Sequence, residues 1–501
     1  MSPERMPMPR FRSLAAGLVP LLALQGIAPD VPPGPVAKAD RGEAHFSPAW
    51  HAGRRAALRD AVGQRKPKAA SASAPASGPA QPAEPKGTIV VRGAPRRRDY
   101  ERFRQTNEFF YLTGVEAPDA ALVIDVESGR EVLFLAPPGR GEGVWEDLLP
   151  HAPTKPADGA PARGAAAAEK GAALAKALGF ADVRSTEDFE AALKERAPGG
   201  PFFTLLSTEE YEATSRDDAS DFERSQQADP FDGRPSRTVR FGERLRERIS
   251  VEVQDLTPFL DRLRRVKTPE EIAAMRRAAE ISAAGHVAAM RGTRPGLVEW
   301  QLGAEAFALF HRMGSPTHSY FAIVGAGKKA TILHTTSGDA IIQPDDVILM
   351  DYAAEWRYYA SDVTRSWPAS GKFGEKARRI YETVQRAQEA AIAKVRPGVK
   401  YMDLERAASE VLEAAGFPRM KYMPHSLSHT IGLATHDVGR IDPIVPGVVF
   451  TIEPGIYDAE SGIGVRIEDV IAVTETGCDN LSASAPRKIE EIEAIVGRAA
   501  R

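Results

Sequence analysis

The chain has 501 residues, more than one ordinary hydrophobic core accommodates, so two domains are expected. Its formal net charge of −3 gives no reason to expect binding to nucleic acid or to an anionic membrane surface. The single cysteine, Cys478, excludes an internal disulfide bond and a metal site built from several thiolates.

Residues 1–39 are predicted to be an export signal or leader. Arg10 and Arg12 precede an apolar run over residues 14–24, and small residues follow it. The order basic, apolar, small is typical of secretory signal peptides. We therefore expect a periplasmic or secreted protein if the leader acts as a signal, and a cytoplasmic one if it does not. No later apolar run reaches the roughly 18 residues that a membrane-spanning helix needs.

Residues 45–258 are predicted to form an α/β domain. A helix-like segment at 50–65 is followed by a strand-like one at 88–91, and ALVIDVESGREVLFLAP, residues 121–137, has the pattern of a hairpin. Apolar strands and Ala-rich helical stretches then alternate to about residue 206.

Two segments interrupt this pattern. Residues 66–87 are rich in Ala, Pro and Ser and lack periodicity, which predicts a disordered insertion. Residues 207–237 are rich in Asp, Glu and Arg, and we predict that they form a polar insertion on the surface.

A second domain is predicted for residues 268–497. Thr268 is a good helix cap, Pro269 suits the first helical position, and Glu271 completes a capping box. A domain boundary just before Thr268 is therefore expected.

An internal repeat divides this second domain. RPGLVEWQLGAEAFALFHRMG aligns without a gap with RPGVKYMDLERAASEVLEAAG at an offset of 102 residues. At the same offset His334 falls on His436, and Asp351 falls on Glu453. Two copies of such a unit predict a pseudo-twofold domain in which each copy places an acid at the end of an apolar strand.

The stretch MDYAAEWRYYASDVTRS, residues 350–366, places two carboxylates in a predicted hairpin. If the chain turns at Trp356–Arg357, Asp351 faces Asp362 directly across an antiparallel pair. Like charges in such a pair are destabilising. A bound cation would remove the repulsion, so the pair predicts a metal site.

Further polar residues in apolar surroundings complete the candidate site. They are His334, Asp351, Asp362, His425, His429, His436, Glu453 and Glu468. A single histidine is more often structural than a ligand, and Asp362 could simply pair with Arg365. Four buried and ionised acids, however, need compensation. Carboxylates with one imidazole favour Mn²⁺, with Co²⁺, Zn²⁺ or Fe²⁺ as alternatives, and their charge is sufficient for two ions.

The second domain resembles the pita-bread metallopeptidases, specifically the Xaa-Pro aminopeptidase (aminopeptidase P) family. The motifs that carry the resemblance are ILH, LMDYAAEWRYYASDVTRSWP, HSLSHTIGLATHDVG, TIEPGIY and GVRIEDVI. GAPRRRDYERFRQTNEFFYLTGVEAPDAALVID resembles the family's non-catalytic N-terminal domain. The resemblance implies an α+β catalytic domain with a helix-covered, curved antiparallel sheet and internal pseudo-twofold symmetry. It also implies a homo-oligomer, either a dimer or a tetramer.

The resemblance further implies a set of site residues. The implied metal ligands are Asp351, Asp362, His429, Glu453 and Glu468. Asp362 and Glu468 would bridge two ions, and Glu453 would also accept a proton from the metal-bound water. The residues implied to bind substrate or to orient the acids are His334, His425, His436 and Arg466, with Tyr457 as a weaker candidate.

The implied reaction is removal of the N-terminal residue from peptides whose second residue is proline, with a hydroxide that bridges two metal ions as the nucleophile. Xaa-Pro dipeptidase (prolidase), which shares the motifs and cuts only dipeptides, stays open as an alternative. A non-catalytic binding protein on the same fold is a more remote alternative, since such relatives usually lose ligands and all the implied ones are present here. The large N-terminal domain disfavours methionine aminopeptidase.

Overall fold

The structure is a computed structural model that describes residues 46–65, 86–96, 102–137, 173–209, 215–336 and 338–498. The predicted leader, 1–39, and nearly all of the predicted insertion, 66–87, lie outside these ranges. The α-helices are α1 (Pro48–Gly63), α2 (Asn107–Thr113), α3 (Phe189–Arg196), α4 (Arg216–Ala228), α5 (Arg237–Ile249), α6 (Thr257–Arg265), α7 (Pro269–Gly292), α8 (Glu299–Arg312), α9 (Glu375–Ile392), α10 (Tyr401–Ala414), α11 (Arg419–Tyr422) and α12 (Ile489–Ile495). The strands are β1 (Thr88–Arg92), β2 (Ala121–Asp125), β3 (Glu131–Leu135), β4 (Val183–Ser185), β5 (Phe202–Thr204), β6 (Val253–Asp255), β7 (Ile323–Ala326), β8 (Val347–Asp351), β9 (Glu355–Trp356), β10 (Tyr359–Ala360), β11 (Thr364–Pro368), β12 (Val449–Ile452), β13 (Gly455–Asp458), β14 (Ile463–Arg466), β15 (Asp469–Val473) and β16 (Cys478–Asn480). None of the helices in these ranges combines the length and the apolar character that crossing a bilayer requires.

The N-terminal domain is built on one mixed sheet with the strand order β4-β3-β2-β1-β5-β6. β1, β2 and β3 run antiparallel, and the outer strands join them in parallel pairs. Ile89 and Val91 of β1 pack in a cluster with Leu58 of α1, whereas Val90 packs in a cluster with Leu245 of α5. Successive side chains of a strand point to opposite faces, so helices cover both faces of the sheet. The predicted hairpin and α/β architecture are confirmed.

The predicted repeat is confirmed in the second domain. α8 and α10 coincide end to end after a shift of 102 residues, and β8 and β12 begin 102 residues apart. In each half a pair of helices packs together, α7 on α8 and α9 on α10, and a three-stranded antiparallel sheet follows. The predicted capping box starts α7, with Thr268 N donating to Glu271 Oε2 at 2.8 Å.

The predicted register of the hairpin at 350–366 is wrong by two residues. The turn lies at Arg357–Tyr358, both with positive φ (51° and 73°), and Asp351 pairs with Thr364 rather than with Asp362. Side chains alternate along a strand, so a shift of two residues keeps both acids on the same face. The two carboxylates are therefore diagonal neighbours and not directly opposite.

The N-terminal domain explains why a tyrosine occupies this turn, where glycine or asparagine is usual. The ring of Tyr358 stacks on Phe110, with centroids 3.6 Å apart. Its hydroxyl accepts from Gln105 N at 3.0 Å and donates to Glu116 Oε1 at 2.7 Å. These contacts offset the cost of the backbone conformation and also join the two domains.

The polar segment 207–237 contains α4, which has no fully buried residue. The first residue of α4, Arg216, nevertheless reaches inward. It donates to both carboxylate oxygens of Asp261 at 2.8 Å and to Glu108 Oε1 at 3.1 Å, and the Glu108 side chain is only 1% exposed. The polar segment is therefore anchored to the interior at this end.

A buried histidine in α1 makes stability depend on pH. His51 Nδ1 donates to the Tyr111 carbonyl at 3.0 Å, and burial lowers the pKa of His51 from 6.5 to about 4. Between pH 6.5 and pH 4 the unfolded chain takes up a proton here that the folded protein does not. We expect the free energy of unfolding to fall by up to about 3 kcal/mol across this window from His51 alone.

The measurement is urea unfolding of chelator-treated wild type and His51→Gln at pH 7 and pH 4.5. Glutamine keeps a donor for the Tyr111 carbonyl and does not titrate, so the variant should lose less stability on acidification. Equal losses in the two proteins would contradict the assignment.

Candidate metal centre

Four acids reach the same place from the ends of strands. Asp351 is the last residue of β8 and Glu453 directly follows β12, at equivalent positions of the two repeats. Asp362 lies shortly before β11 and Glu468 directly before β15, and these strands pair with β8 and β12 respectively. Because the four strands are wholly buried, core packing determines where the acids emerge.

The imidazole of His429 lies at the centre of this group. Its Nε2 is 3.4 Å from Asp362 Oδ2, 3.4 Å from Glu453 Oε1 and 3.8 Å from Glu468 Oε1. Ligand atoms of Asp362, His429 and Glu468 all lie within 4.8 Å of one another. The Asp362 and Glu468 side chains are 6% and 2% exposed. The structure thus gathers donors from both repeats at one buried point.

Asp351 joins the group through a tyrosine and an arginine. The Tyr320 hydroxyl lies between the carboxylates of Asp351 and Asp362, 2.6 Å from Asp362 Oδ1, and can donate to either. Arg466 donates to Asp351 Oδ2 at 2.5 Å and to the Tyr457 hydroxyl at 2.9 Å. Arg466 and Tyr457 therefore lie beside the acids.

The protonation of these acids tests whether a metal fits. Burial raises the pKa of Asp362, Glu453 and Glu468 well above their ordinary values, and neighbouring carboxylates raise it further: Asp351 acts on Asp362, and Glu468 acts on Glu453. Bound divalent cations would instead keep the carboxylates ionised. Four hard oxygen donors with one imidazole fit the predicted metals.

His429 is held in the state that a metal ligand requires. Burial lowers the pKa of His429 to about 4, so the ring is neutral at physiological pH. Its Nδ1 lies 3.2 Å from the Thr430 carbonyl, to which it donates, and this leaves the lone pair of Nε2 facing the acids. The backbone of His429 bonds in both directions to Thr451 of β12, with N···Oγ1 at 3.1 Å and O···N at 3.0 Å.

Two of the other predicted histidines, His425 and His436, lie beside the centre. His425 Nε2 is 3.0 Å from the Tyr457 hydroxyl, and its Nδ1 is 3.7 Å from Glu453 Oε2. The His436 ring lies 4.1 Å from the His429 ring, centroid to centroid. The nearby His429, and more weakly the exposed His334, lower the pKa of His436. His425 is thus a neighbour of Glu453 and His436 a neighbour of His429, while His334 lies within electrostatic range of His436.

Sequence reasoning missed three residues that hold the ligands in place. They are Tyr320, Thr364 and Thr451. Thr364 Oγ1 donates to Glu468 Oε2 at 2.7 Å, and Thr451 Oγ1 donates to Glu453 Oε1 at 3.2 Å. Both threonines lie two residues from a predicted ligand, on the same face of an extended stretch, so strand alternation could have identified them.

A cavity of about 510 Å³ opens on the solvent side of the centre. Its lining includes His429 and His436 as well as Arg216 and Asp217 of α4. It is large enough for several residues of an extended peptide. A buried carboxylate–imidazole cluster whose His429 faces such a cavity is the arrangement expected of a metal-dependent hydrolase.

Comparisons with known proteins give the family. The model of the metallopeptidase family M24 matches residues 273–475, and that of the aminopeptidase P N-terminal domain matches residues 51–157. An Xaa-Pro aminopeptidase of Escherichia coli (strain K12) is 30% identical over 450 residues, which cover 82% of this chain and 94% of that protein.

Solved structures agree with this result. Aminopeptidase P from E. coli with the inhibitor Pro-Leu has a TM-score of 0.69 at 29% identity, covering 91% of this chain and 99% of that one. Aminopeptidase PepP of Pseudomonas aeruginosa has a TM-score of 0.68 at 28% identity, covering 90% and 98%. The chain therefore belongs to the M24 metallopeptidases and, within them, to the Xaa-Pro aminopeptidase family. It is a metal-dependent aminopeptidase, which confirms the predicted fold class and enzymatic activity and disfavours the non-catalytic alternative.

Proposed function

We propose that this enzyme releases the N-terminal residue from peptides with proline at position 2, with the help of two divalent metal ions. The observation that carries the proposal is the convergence of Asp362, Glu453 and Glu468 on His429 Nε2, with Asp351 alongside. The Xaa-Pro aminopeptidases among the relatives, and the E. coli structure with a proline-containing inhibitor, support the choice of substrate.

The family resemblance implies how the five ligand candidates would divide between two ions. Asp351 would hold one ion, and His429 with Glu453 the other, while Asp362 and Glu468 would bridge them. Two bound ions would polarise the scissile carbonyl and would lower the pKa of a water to near neutrality. Mn²⁺ is the metal that this donor set favours, and Co²⁺ and Zn²⁺ are alternatives.

The chain's own groups would bind the peptide and move the proton. Glu453 is oriented by Thr451 at 3.2 Å and faces His425 at 3.7 Å, so its carboxylate can accept the proton of the attacking water. His425, His436 and His334 would bind the substrate and donate to the developing oxyanion. One such donor typically contributes about 3 kcal/mol to transition-state stabilisation.

Two further properties of the molecule are part of the proposal. A homo-oligomer, a dimer or a tetramer, is what the family resemblance implies. Export to the periplasm or the medium is what residues 1–39 predict from the sequence, with the cytoplasm as the alternative.

Peptide length distinguishes an aminopeptidase from a dipeptidase. We expect kcat/KM for an Xaa-Pro-Xaa tripeptide to exceed that for the Xaa-Pro dipeptide by about tenfold or more, which corresponds to roughly 1.4 kcal/mol. The cavity extends past His436 to Asp217, so a longer peptide fits, whereas a dipeptide places its terminal carboxylate beside an acidic site.

The assay compares Xaa-Pro peptides of increasing length after chelator treatment and resupply with Mn²⁺, Co²⁺ or Zn²⁺. The control is the same tripeptide with alanine in place of proline. Preference for the dipeptide would identify a prolidase, and full activity after removal of the metal would exclude the metal mechanism.

A further inference from the structure

Asp437 is a buried acid that directly follows His436 and belongs to none of the proposed ligands. Its side chain is 1% exposed. Arg264 Nη2 donates to its Oδ1 at 2.6 Å, and Lys267 Nζ donates to its Oδ2 at 3.0 Å. Both basic side chains are also 1% exposed. Each carboxylate oxygen of Asp437 therefore has a cationic partner shielded from water.

The electrostatics show that this arrangement favours a charged Asp437. Burial by itself raises the pKa of Asp437, but the charges of Arg264 and Lys267 outweigh that effect, so the pKa lies below its ordinary value. In a site shielded from water, such charge-assisted hydrogen bonds hold a side chain in one geometry.

The same residue closes the loop that carries two site histidines. Asp437 N donates to the Thr430 carbonyl at 2.9 Å, and Thr430 Oγ1 donates to the Asp437 carbonyl at 2.6 Å. A Cβ at Gly432 would collide with Asp437 Oδ2, so the loop folds tightly over this carboxylate. The loop 430–437 thus begins next to His429 and ends next to His436, with Asp437 as its anchor.

His429 and His436 depend on this anchor to different degrees. His429 has its own support, because its backbone bonds to Thr451 of β12 in both directions. The exposed His436 ring packs against His429, and on its C-terminal side the chain is fixed by Asp437. Loss of the anchor should therefore displace His436 first.

The anchor extends into the N-terminal domain. Arg264 also contacts Glu108 Oε1 of α2 at 3.4 Å, and the same oxygen accepts a hydrogen bond from Arg216 of α4. Asn107 of α2 donates to the carbonyl of Leu433 within the loop at 3.1 Å.

We propose that Asp437 is a positioning residue for His436, held in place by Arg264 and Lys267 and, through Arg264, by Glu108 of the N-terminal domain. This inference rests on the proposed role of His436 in binding the tetrahedral intermediate. Asp437 would hold the His436 imidazole in position to donate to the reacting carbonyl.

The test begins with Asp437→Asn, His436→Ala and the double variant, assayed with Mn²⁺ and an Xaa-Pro tripeptide. We expect Asp437→Asn to lower kcat by about 10- to 100-fold with little change in KM, since the lost interaction is made in the transition state. In the His436→Ala background the same change should cost less than about threefold, because the residue acts through His436. Independent, multiplicative losses would overturn the proposal.

A second pair of measurements separates positioning from mere stability. Asp437→Asn leaves Lys267 without this carboxylate and Arg264 with only the more distant Glu108, so the fold should lose stability. Adding Lys267→Met removes the surplus charge. We expect Asp437→Asn/Lys267→Met to regain thermal stability but not kcat. Recovery of both would show that the role is purely structural.

Metal binding supplies a readout that does not depend on turnover. Calorimetric titration with Mn²⁺ should give the same dissociation constant for wild type and Asp437→Asn within about threefold, because His429 is held separately. A loss of Mn²⁺ affinity as large as the loss of kcat would overturn the assignment to His436. Wild type and His436→Ala are assayed before the Asp437 variants. An inactive wild type, or a fully active His436→Ala, would count against the proposed function itself.

Discussion

Replacement of Asp362 by asparagine is expected to lower kcat/KM for an Xaa-Pro tripeptide by roughly 10³-fold, about 4 kcal/mol. Asp362 Oδ2 lies 3.4 Å from His429 Nε2, and its carboxylate is the proposed bridge between the two ions. Asparagine keeps the shape and an acceptor for the Tyr320 hydroxyl, but it removes the charge that neutralises the metal. Mn²⁺ binding, followed by calorimetry, should weaken together with activity.

The same substitution should stabilise the metal-free protein. Burial and the adjacent Asp351 raise the pKa of Asp362 in the folded state, so the folded metal-free protein binds more protons than the unfolded chain. Its stability therefore falls as the pH rises above the unfolded-state pKa near 3.8. Asp362→Asn has no carboxyl group to titrate here and does not lose this stability. Its free energy of unfolding at pH 8 should therefore exceed that of wild type by about 1–3 kcal/mol, and at low pH the two proteins should be equally stable.

Thermal unfolding in the presence of chelator, at pH 8 and at low pH, measures this effect. Asp345→Asn is the matched control, because Asp345 is exposed on the loop before β8 and should change neither stability nor activity. Added Mn²⁺ should raise the melting temperature of wild type more than that of Asp362→Asn. A variant that is active, or that is destabilised without metal at pH 8, would contradict the metal centre as described.

Replacement of Arg466 by methionine is expected to have the largest effect on stability. Arg466 donates to Asp351 at 2.5 Å, to Tyr457 at 2.9 Å and to Thr364 at 3.0 Å, and it lies 3.8 Å from Glu468. Its side chain is 5% exposed. Removing one partner from a buried ion pair leaves an uncompensated charge and typically costs about 3–5 kcal/mol.

Lysine at the same position separates charge from geometry. Arg466→Lys keeps the positive charge but cannot donate to Asp351, Tyr457 and Thr364 at once, since a lysine ammonium lacks the planar fork of arginine. In urea unfolding we expect the free energy of unfolding to be highest for wild type, lower for Arg466→Lys and lowest for Arg466→Met. Arg440 is exposed, so Arg440→Met should be indistinguishable from wild type. A methionine variant as stable as wild type at pH 8 would show that the acids are not ionised together in the folded protein.

Much of the fold and the positions of the candidate acids follow from sequence pattern, whereas the set of five ligands is what the family resemblance implies. The apolar run before Asp351 and that before Glu453 are recognisable strands, and each acid stands at the end of its own run. The offset of 102 residues relates the halves, and the structure aligns α8 with α10 at the same offset. Patterns of this kind are visible in the order of residues along the chain, so they can be recognised without knowing which side chains meet in space.

Other features could not be obtained in this way because they depend on distant neighbours. Tyr358 of the turn at Arg357–Tyr358 contacts Phe110 and Gln105 of the N-terminal domain, some 250 residues earlier. The observed hairpin register differs from the predicted one by two residues. Asn or Gly at this position would have allowed the turn to be predicted from the sequence. Arg216 lies in a polar segment that sequence reasoning assigned to the surface, although its partner Glu108 is buried.

The sequence by itself determined which residues carry charge at the ends of apolar strands, and hence that a duplicated unit would bring acids and a histidine together. Only the tertiary structure decided which side chains compensate these charges. Tyr320 lies between two carboxylates, Arg466 donates to Asp351, and Asp437 lies between Arg264 and Lys267. The physical reason is that hydrogen bonds and ion pairs form between side chains that meet in space. Periodicity along the chain specifies which face of a strand or helix a residue occupies, but not which side chain of another element it contacts.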